Sequence, residues 1–236
     1  MRVEIWSDVV CPWCYIGKRR FETALARFTH RDEVEVVWRS FELDPNAPRR
    51  HPGTLDDMLA RKYGATPKQA AAMNGRVTTE AAGDGLAYRL ELAQPGNTFN
   101  AHRLLHLAAD RGVQGALKER LMAGYFTEGL AVGDPAALVP IAVEAGLDEG
   151  EVRAVLAGDA YAEAVREDER RASGFGIRGV PFVVVDEHYG VSGAQPPDAF
   201  RDVLEQAWAA SRPLTLVTGS DQAGACEGDT CAIPAH

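Results

Sequence analysis

Four cysteines in a chain of 236 residues fall into two close pairs, Cys11 with Cys14 and Cys226 with Cys231. The first pair carries the stronger chemical signal. Cys11-Pro12-Trp13-Cys14 spaces two thiols so that they close a small disulfide ring or open as a dithiol. A helix starting at the first thiol surrounds it with unpaired backbone N–H groups and about half a positive charge from the helix dipole. A thiolate on Cys11 is favoured in that field, with a pKa expected below the roughly 8.5 of free cysteine. Cys14, one helical turn later, is expected to be more enclosed. Cys11 is then the attacking and leaving sulfur, and Cys14 the one that breaks the mixed disulfide. The competing use of this spacing is half of a structural zinc site, which needs two further ligands. Cys226 and Cys231 are widely spaced for that purpose, and no metal is expected.

The elements around the pair read as strand, turn, helix. Residues 2–6 alternate as a short strand should, and Ser7-Asp8 supplies turn chemistry. A helix over residues 15–28 carries Ile16, Phe21, Leu25 and Phe28 on one face, and Pro12 falls in its first turn, where a missing N–H costs nothing. Lys18 and Arg19 are expected to be solvated. A second strand over 33–41 is broken by Asp44-Pro45 and Pro52-Gly53.

Helical patterns then run over 56–63, 67–82, 98–111, 115–128, 135–145, 148–157 and 161–172. The Glu/Arg alternation of the last is expected to be a solvated face. His102 and His106, four apart on one helical face, lack a supporting third ligand, so His102 is expected to be packed and hydrogen-bonded instead. Strand signals return over 179–186, entered through Val180-Pro181, and over 189–193, before a helix over 198–210. There is no internal repeat.

These residues resemble the DsbA-type oxidoreductases. The resemblance rests on Cys11-Pro12-Trp13-Cys14, the long helical block, and Gly176-Ile177-Arg178-Gly179-Val180-Pro181. It is closer to the FrnE-like branch, in Asp8-Val9-Val10 before the first cysteine, Asn97-Thr98-Phe99-Asn100-Ala101-His102, and Gly190-Val191-Ser192-Gly193-Ala194-Gln195. It covers roughly residues 1–211.

The resemblance implies an α/β, thioredoxin-like fold with a large all-helical insertion. Residues 1–46 and 172–213 form the discontinuous thioredoxin-like domain, 47–171 the insertion, and 214–236 a tail with the second cysteine pair. It implies protein thiol–disulfide exchange without an organic cofactor, and a cis peptide before Pro181 in a loop facing the cysteine turn. There the Val180 backbone pairs with an extended substrate strand, while Pro12 and Trp13 shape the substrate surface. The simpler alternatives are that Val-Pro only opens an edge strand and that Trp13 only packs over the disulfide.

Composition bounds the partners. A net charge of −9 without a basic run argues against nucleic acid and anionic membrane surfaces. Glu4 and Asp8 interrupt what would be the apolar region of a leader, and no stretch approaches a membrane span, so the expected setting is cytoplasmic. Expected partners are protein or small-molecule disulfides and thiols, and a cellular thiol reductant of unknown identity.

In the tail, Gly228 permits the tight turn that would let Cys226 and Cys231 join. Some FrnE-like proteins are similar in carrying such a pair. The pair is expected to be a second redox centre that exchanges electrons with the first, or else a surface pair that oxidises incidentally. For the whole chain, the leading reading is a disulfide reductase or isomerase. The alternative is a glutathione-dependent isomerase or kappa-class transferase acting on an aromatic or polyketide-type substrate. That group usually has a serine or lone thiol-activating residue at the place of Cys11.

Overall fold

The first strand, β1 (Arg2–Ser7), is covered on both faces, because Val3 and Ile5 point one way and Glu4 and Trp6 the other, all of them buried. It is therefore a central strand. It pairs in parallel with β2 (Glu35–Ser40), from Arg2 opposite Glu35 to Ser7 opposite Ser40. On its other side it runs antiparallel to β3 (Phe182–Val185), which forms a hairpin with β4 (Tyr189–Ser192), giving the order β2-β1-β3-β4. The computed structural model describes residues 1–211 and, as backbone, the short strands β5 (Cys226–Glu227) and β6 (Thr230–Cys231).

Helices cover the two faces. On one, α1 (Pro12–Arg27) and α9 (Pro197–Ala210) pack over Val3, Ile5, Val183 and Val185, with Phe21 meeting Phe200 edge to face at 5.8 Å. The helical block comprises α2 (Leu55–Tyr63), α3 (Pro67–Gly83), α4 (Phe99–Asp110), α5 (Gln114–Ala123), α6 (Pro135–Glu144), α7 (Glu149–Ala157) and α8 (Ala162–Gly174). Its boundaries follow local signals. Thr54 with Asp57 and Thr66 with Gln69 form capping boxes, and Asp134 caps α6 before Pro135. The helical pattern over 115–128 divides, since α5 ends at Ala123 and a π turn, Gly124–Glu128, continues it. No helix among the described residues is long and apolar enough to cross a membrane.

The charged helix α8 departs from its expected solvated role. Asp168 is buried, receiving Arg39 Nη1 at 3.0 Å, the Ser40 N–H at 2.8 Å and His106 Nε2 at 3.1 Å. Its backbone carbonyl accepts the Trp6 indole N–H at 2.9 Å. Arg171 of the same helix reaches Glu4 at 2.9 Å. The alternation of charges therefore seals α8 onto the second face of the sheet, because β1 and β2 present complementary charges there.

Candidate active site

Central strand β1 delivers the chain through Ser7-Asp8 directly into α1, so the cysteine turn sits at a helix N-terminus beyond the C-terminal end of that strand. Cys11 is the N-cap, in extended conformation, and Pro12 is the first helical residue. The Cys11 N–H donates to the Asp8 carbonyl at 3.3 Å, while the Cys11 carbonyl accepts the Cys14 N–H at 3.0 Å. Both cysteines are free thiols and both are buried, Cys11 at 5% exposure and Cys14 at 1%. The Cys11 thiol donates to the Val180 carbonyl at 3.7 Å, and the Val180–Pro181 peptide is cis. Residues separated by 169 positions thus form one turn-and-loop pair.

The two halves fit because of a glycine. A Cβ on Gly17 would stand 3.0 Å from Pro181 Cγ, so the bare helix surface is what lets the proline loop approach α1. Tyr88 fixes the turn from the helical block, its hydroxyl donating to the Pro12 carbonyl at 2.7 Å while its ring stacks on Tyr15 and Phe126. Trp13, by contrast, stands 41% exposed beside the cysteines.

Behind the turn lies a set of buried charges. Asp8 accepts from the Leu43 N–H at 2.8 Å and meets His102 Nε2 at 3.3 Å. Burial alone would raise the Asp8 carboxyl, but His102 and the Leu43 N–H hold it below the ordinary carboxylate value. Lys118 of α5 is fully buried nearby, hydrogen-bonded to the Ser7 carbonyl at 3.4 Å. Burial and the neighbouring Cys11 push the Cys14 thiol well above its ordinary value, while Lys118 pulls it down.

Lys18 and Arg19 are not merely solvated. Lys18 is 5% exposed and binds Glu22 and Glu119, each at 2.6 Å, and Arg19 also pairs with Glu119. Tyr15 donates to the same carboxylate at 2.6 Å, so Glu119 of α5 clamps the first turns of α1. Burial would raise this carboxyl, but its hydrogen bonds from Arg19, Lys18 and Tyr15 bring it down to about 2. Because the folded value is depressed, the stabilisation is full above the unfolded pKa of roughly 4.3 and is lost as pH falls toward the folded value. Urea melts of wild type and Glu119→Gln are therefore expected to differ at pH 7 and to converge between about pH 4.5 and 2. A difference that persists undiminished at the acid end would remove the clamp from this account.

Cys11 opens onto a cavity of about 670 Å³, within the roughly 300–1,000 Å³ usual for small-ligand sites. Val180 lines it together with Leu55 and Met58 of α2, Val77 of α3 and Phe126. Three of its lining residues, Trp13, Leu43 and Tyr63, rank among the exposed large apolar side chains of the described residues. Apolar surface thus continues from the cavity to the outside beside the reactive turn.

The structure brings Cys11, Cys14, Pro12, Trp13, Val180 and Pro181 together. It also places His102 in the interior, bonded to Asp8. The side chains of Cys226 and Cys231 lie outside the described residues; their backbone strands pair with the two positions opposite one another. Sequence reasoning missed Asp8, Tyr88, Lys118 and Glu119. Lys118 had a readable signal, since it shares a helix face with Leu121 and Met122, where a solvated lysine does not belong.

Comparison with known proteins agrees with this geometry. Residues 2–205 match the family model of the DSBA-like thioredoxin domain. The crystal structure of a probable DsbA oxidoreductase from Streptomyces coelicolor is 52% identical, with a TM-score of 0.86 and 100% of each chain covered. The Bacillus subtilis protein YwbO is 26% identical over 206 residues, 86% of this chain and 96% of its own. The cytosolic disulfide reductase DsbM from Pseudomonas aeruginosa, solved with GSH, shares the fold at a TM-score of 0.60 and 16% identity, with 89% of this chain and 100% of that one covered.

Proposed function

The chain belongs to the DSBA-like thioredoxin domain family and is a thiol–disulfide oxidoreductase of that family, and we propose that Cys11 and Cys14 carry its exchange. The observation that supports these residues most is the placement of Cys11: a helix N-cap thiol that faces the Val180 carbonyl and opens onto the apolar cavity. Cys11 attacks a substrate disulfide and becomes bonded to one substrate sulfur. Cys14 then attacks Cys11, closing the protein disulfide and releasing the second substrate thiol. The Val180-Pro181 segment presents backbone to the substrate beside this sulfur, and Pro12 and Trp13 form the surface over which it approaches. In the division of labour that we propose, residues 1–46 and 172–213 carry the thiols, and 47–171 shape the cavity.

The substrates are protein or small-molecule disulfides with an apolar portion that meets Leu55, Met58 and Phe126, while Asp44, Arg61 and Lys62 line the same cavity and offer charge to a polar portion. We place the reaction in a reducing compartment, where two close cysteine pairs serve catalysis rather than stapling. Retention of both Cys11 and Cys14 favours exchange over the glutathione-dependent isomerase or transferase reading, in which one thiol would be redundant. Cys226 and Cys231 are proposed as the second redox pair. Opposite positions of an antiparallel ladder stand about 4.5–5.5 Å apart, within the Cα range of a disulfide.

The test is reduction of insulin, and of a model disulfide, by the full chain with excess dithiol. Turnover is expected with both, and a variant with serine at positions 226 and 231 is expected to change the reduction potential or the rate. Absence of turnover on either disulfide would discard the exchange reading, and an unaltered potential and rate would discard the relay.

A further inference from the structure

Lys118 is a buried ammonium without a matched anion. It donates one long hydrogen bond, to the Ser7 carbonyl at 3.4 Å, and stands 5.6 Å from the Trp38 ring centroid. Among the described residues it forms no ion pair with a carboxylate. Asp8 contributes attraction, but its oxygens are engaged by His102 and the Leu43 N–H. A buried charge is costly unless paired, and with Asp8 committed to His102 and Leu43 the ammonium has no anion in direct contact. Cys14 supplies one. It is buried in the turn that follows Ser7, whose carbonyl takes the Lys118 hydrogen bond, and its thiol must become a thiolate before it can attack.

We infer that the Lys118 ammonium is the counter-charge for the Cys14 thiolate, and so sets the rate at which the mixed disulfide on Cys11 is resolved. This rests on the exchange reading of Cys11 and Cys14. In the mixed disulfide, Cys11 is bonded to the substrate sulfur and Cys14 is a thiol. The Cys14 thiol gives its proton to solvent, leaving a thiolate beside the Lys118 ammonium. The thiolate electron pair attacks the Cys11 sulfur; the Cys11–substrate bond breaks and the Cys11–Cys14 bond forms. The substrate sulfur departs with the electron pair of the broken bond. The proton that Cys14 released balances the departing sulfur through solvent, and Lys118 keeps its own. The two electrons come from the dithiol and end on the substrate, so no further reductant is involved. In reverse, the ammonium stabilises Cys14 as the leaving thiolate.

The electrostatics support this role. Burial pushes Lys118 down to about 8, which leaves it mostly an ammonium at pH 7, while Cys14, Asp8 and Cys11 favour its charged form and Lys18 opposes it. The groups around the ammonium are Asp8 after β1, Cys11, Cys14 and Lys18 of α1 and, through Asp8, His102 of α4 and Tyr125. Lys118 acts through Cys14 and is a positioning residue.

The experiment uses the full chain with serine at positions 226 and 231, mixed in stopped flow with 5,5′-dithiobis(2-nitrobenzoate). Cys11 attack releases the first chromophore, and Cys14 attack on the resulting mixed disulfide releases the second. Lys118→Met is expected to lower the ratio of second-phase to first-phase rate at least tenfold at pH 7 and to move the second-phase pH midpoint upward. Lys118→Arg, which keeps the charge, is expected to retain the low midpoint. A ratio within twofold of the parent, or an unmoved midpoint, overturns the inference. In the unsubstituted chain, the Lys118 Nζ nitrogen is expected to titrate at higher pH when the Cys11–Cys14 pair is reduced than when it is a disulfide. Equal midpoints overturn the inference even if Lys118→Met fails to fold. Absence of a first phase in the parent overturns the exchange reading itself, whereas a normal first phase with an unaltered second phase overturns the role of Lys118 alone.

Discussion

Cys11→Ser is expected to lower disulfide turnover by roughly three orders of magnitude or more, because it removes the only nucleophile that opens onto the cavity from the cysteine turn. Serine keeps the N-cap role, since its hydroxyl is itself a good helix cap, so the fold should survive and the loss should be chemical. The companion substitution has a different signature. Cys14→Ser leaves Cys11 able to attack but removes the sulfur that resolves, so a mixed disulfide with the substrate should accumulate. Mass spectrometry of the quenched reaction should then show the protein plus one substrate thiol, released by added dithiol. If Cys14→Ser turned over normally while Cys11→Ser trapped the adduct, the two roles would be reversed. The asymmetry follows from placement: Cys11 caps the helix and lines the cavity, whereas Cys14 is 1% exposed.

The second large effect is on stability. Asp168→Asn is expected to destabilise the fold by about 3–5 kcal/mol, the usual cost of removing one partner from a buried ionic cluster. The Asp168 oxygens receive Arg39, His106 and the Ser40 N–H, three donors converging on one acceptor-only group. An asparagine turns an NH2 toward at least one of them, which places donor against donor and leaves Arg39 with Glu4 as its remaining anion. Urea denaturation at pH 7 should show a lower midpoint, and thermal melts a fall on the order of 10 °C for a chain of this size. A loss below about 1 kcal/mol, in the range of exposed pairs, would mean that water replaces the cluster at no cost. The effect has a defined pH sense. Burial would raise the Asp168 carboxyl, but His106 and the Ser40 N–H hold it below its ordinary value. Its stabilisation is thus present above the unfolded pKa of roughly 3.9 and is lost as pH falls through the depressed folded value.

These two sites differ in how far the chain itself announces them. The cysteine turn was legible because its signal is local: two thiols three residues apart, a proline suited to the first helical turn, and an alternating strand before them. The boundaries of α2, α3 and α6 were equally local, since Thr54, Thr66 and Asp134 cap helices that begin beside them. Asp168 was not legible. Its neighbours Arg166, Glu167, Glu169 and Arg170 form the pattern of a solvated face, and one helical turn of charges looks the same whether water or Arg39 lies opposite.

Lys18 and Lys118 make the same point within the site. Both are lysines in helices, and both lie within 5% of complete burial. Lys18 is neutralised by Glu119, 101 residues away, whereas Lys118 has a carbonyl of Ser7, 111 residues away, and in our proposal the Cys14 thiolate. Glu22, four residues on, is readable as one partner of Lys18, but nothing near either lysine in the chain states which distant group it meets.

The sequence by itself determined the reactive dithiol, its helix N-terminal setting, the order of strands and helices, and through them the family. These depend on spacings of a few residues, where backbone geometry leaves little choice. Only the tertiary structure decided that Gly17 admits Pro181, that α2 and α3 wall a cavity beside the thiol, and that Lys118 and Cys14 are both buried in the interior. The physical reason is that the free energy of a buried charge or thiol depends on what distant elements bring against it, and local spacing carries no record of that.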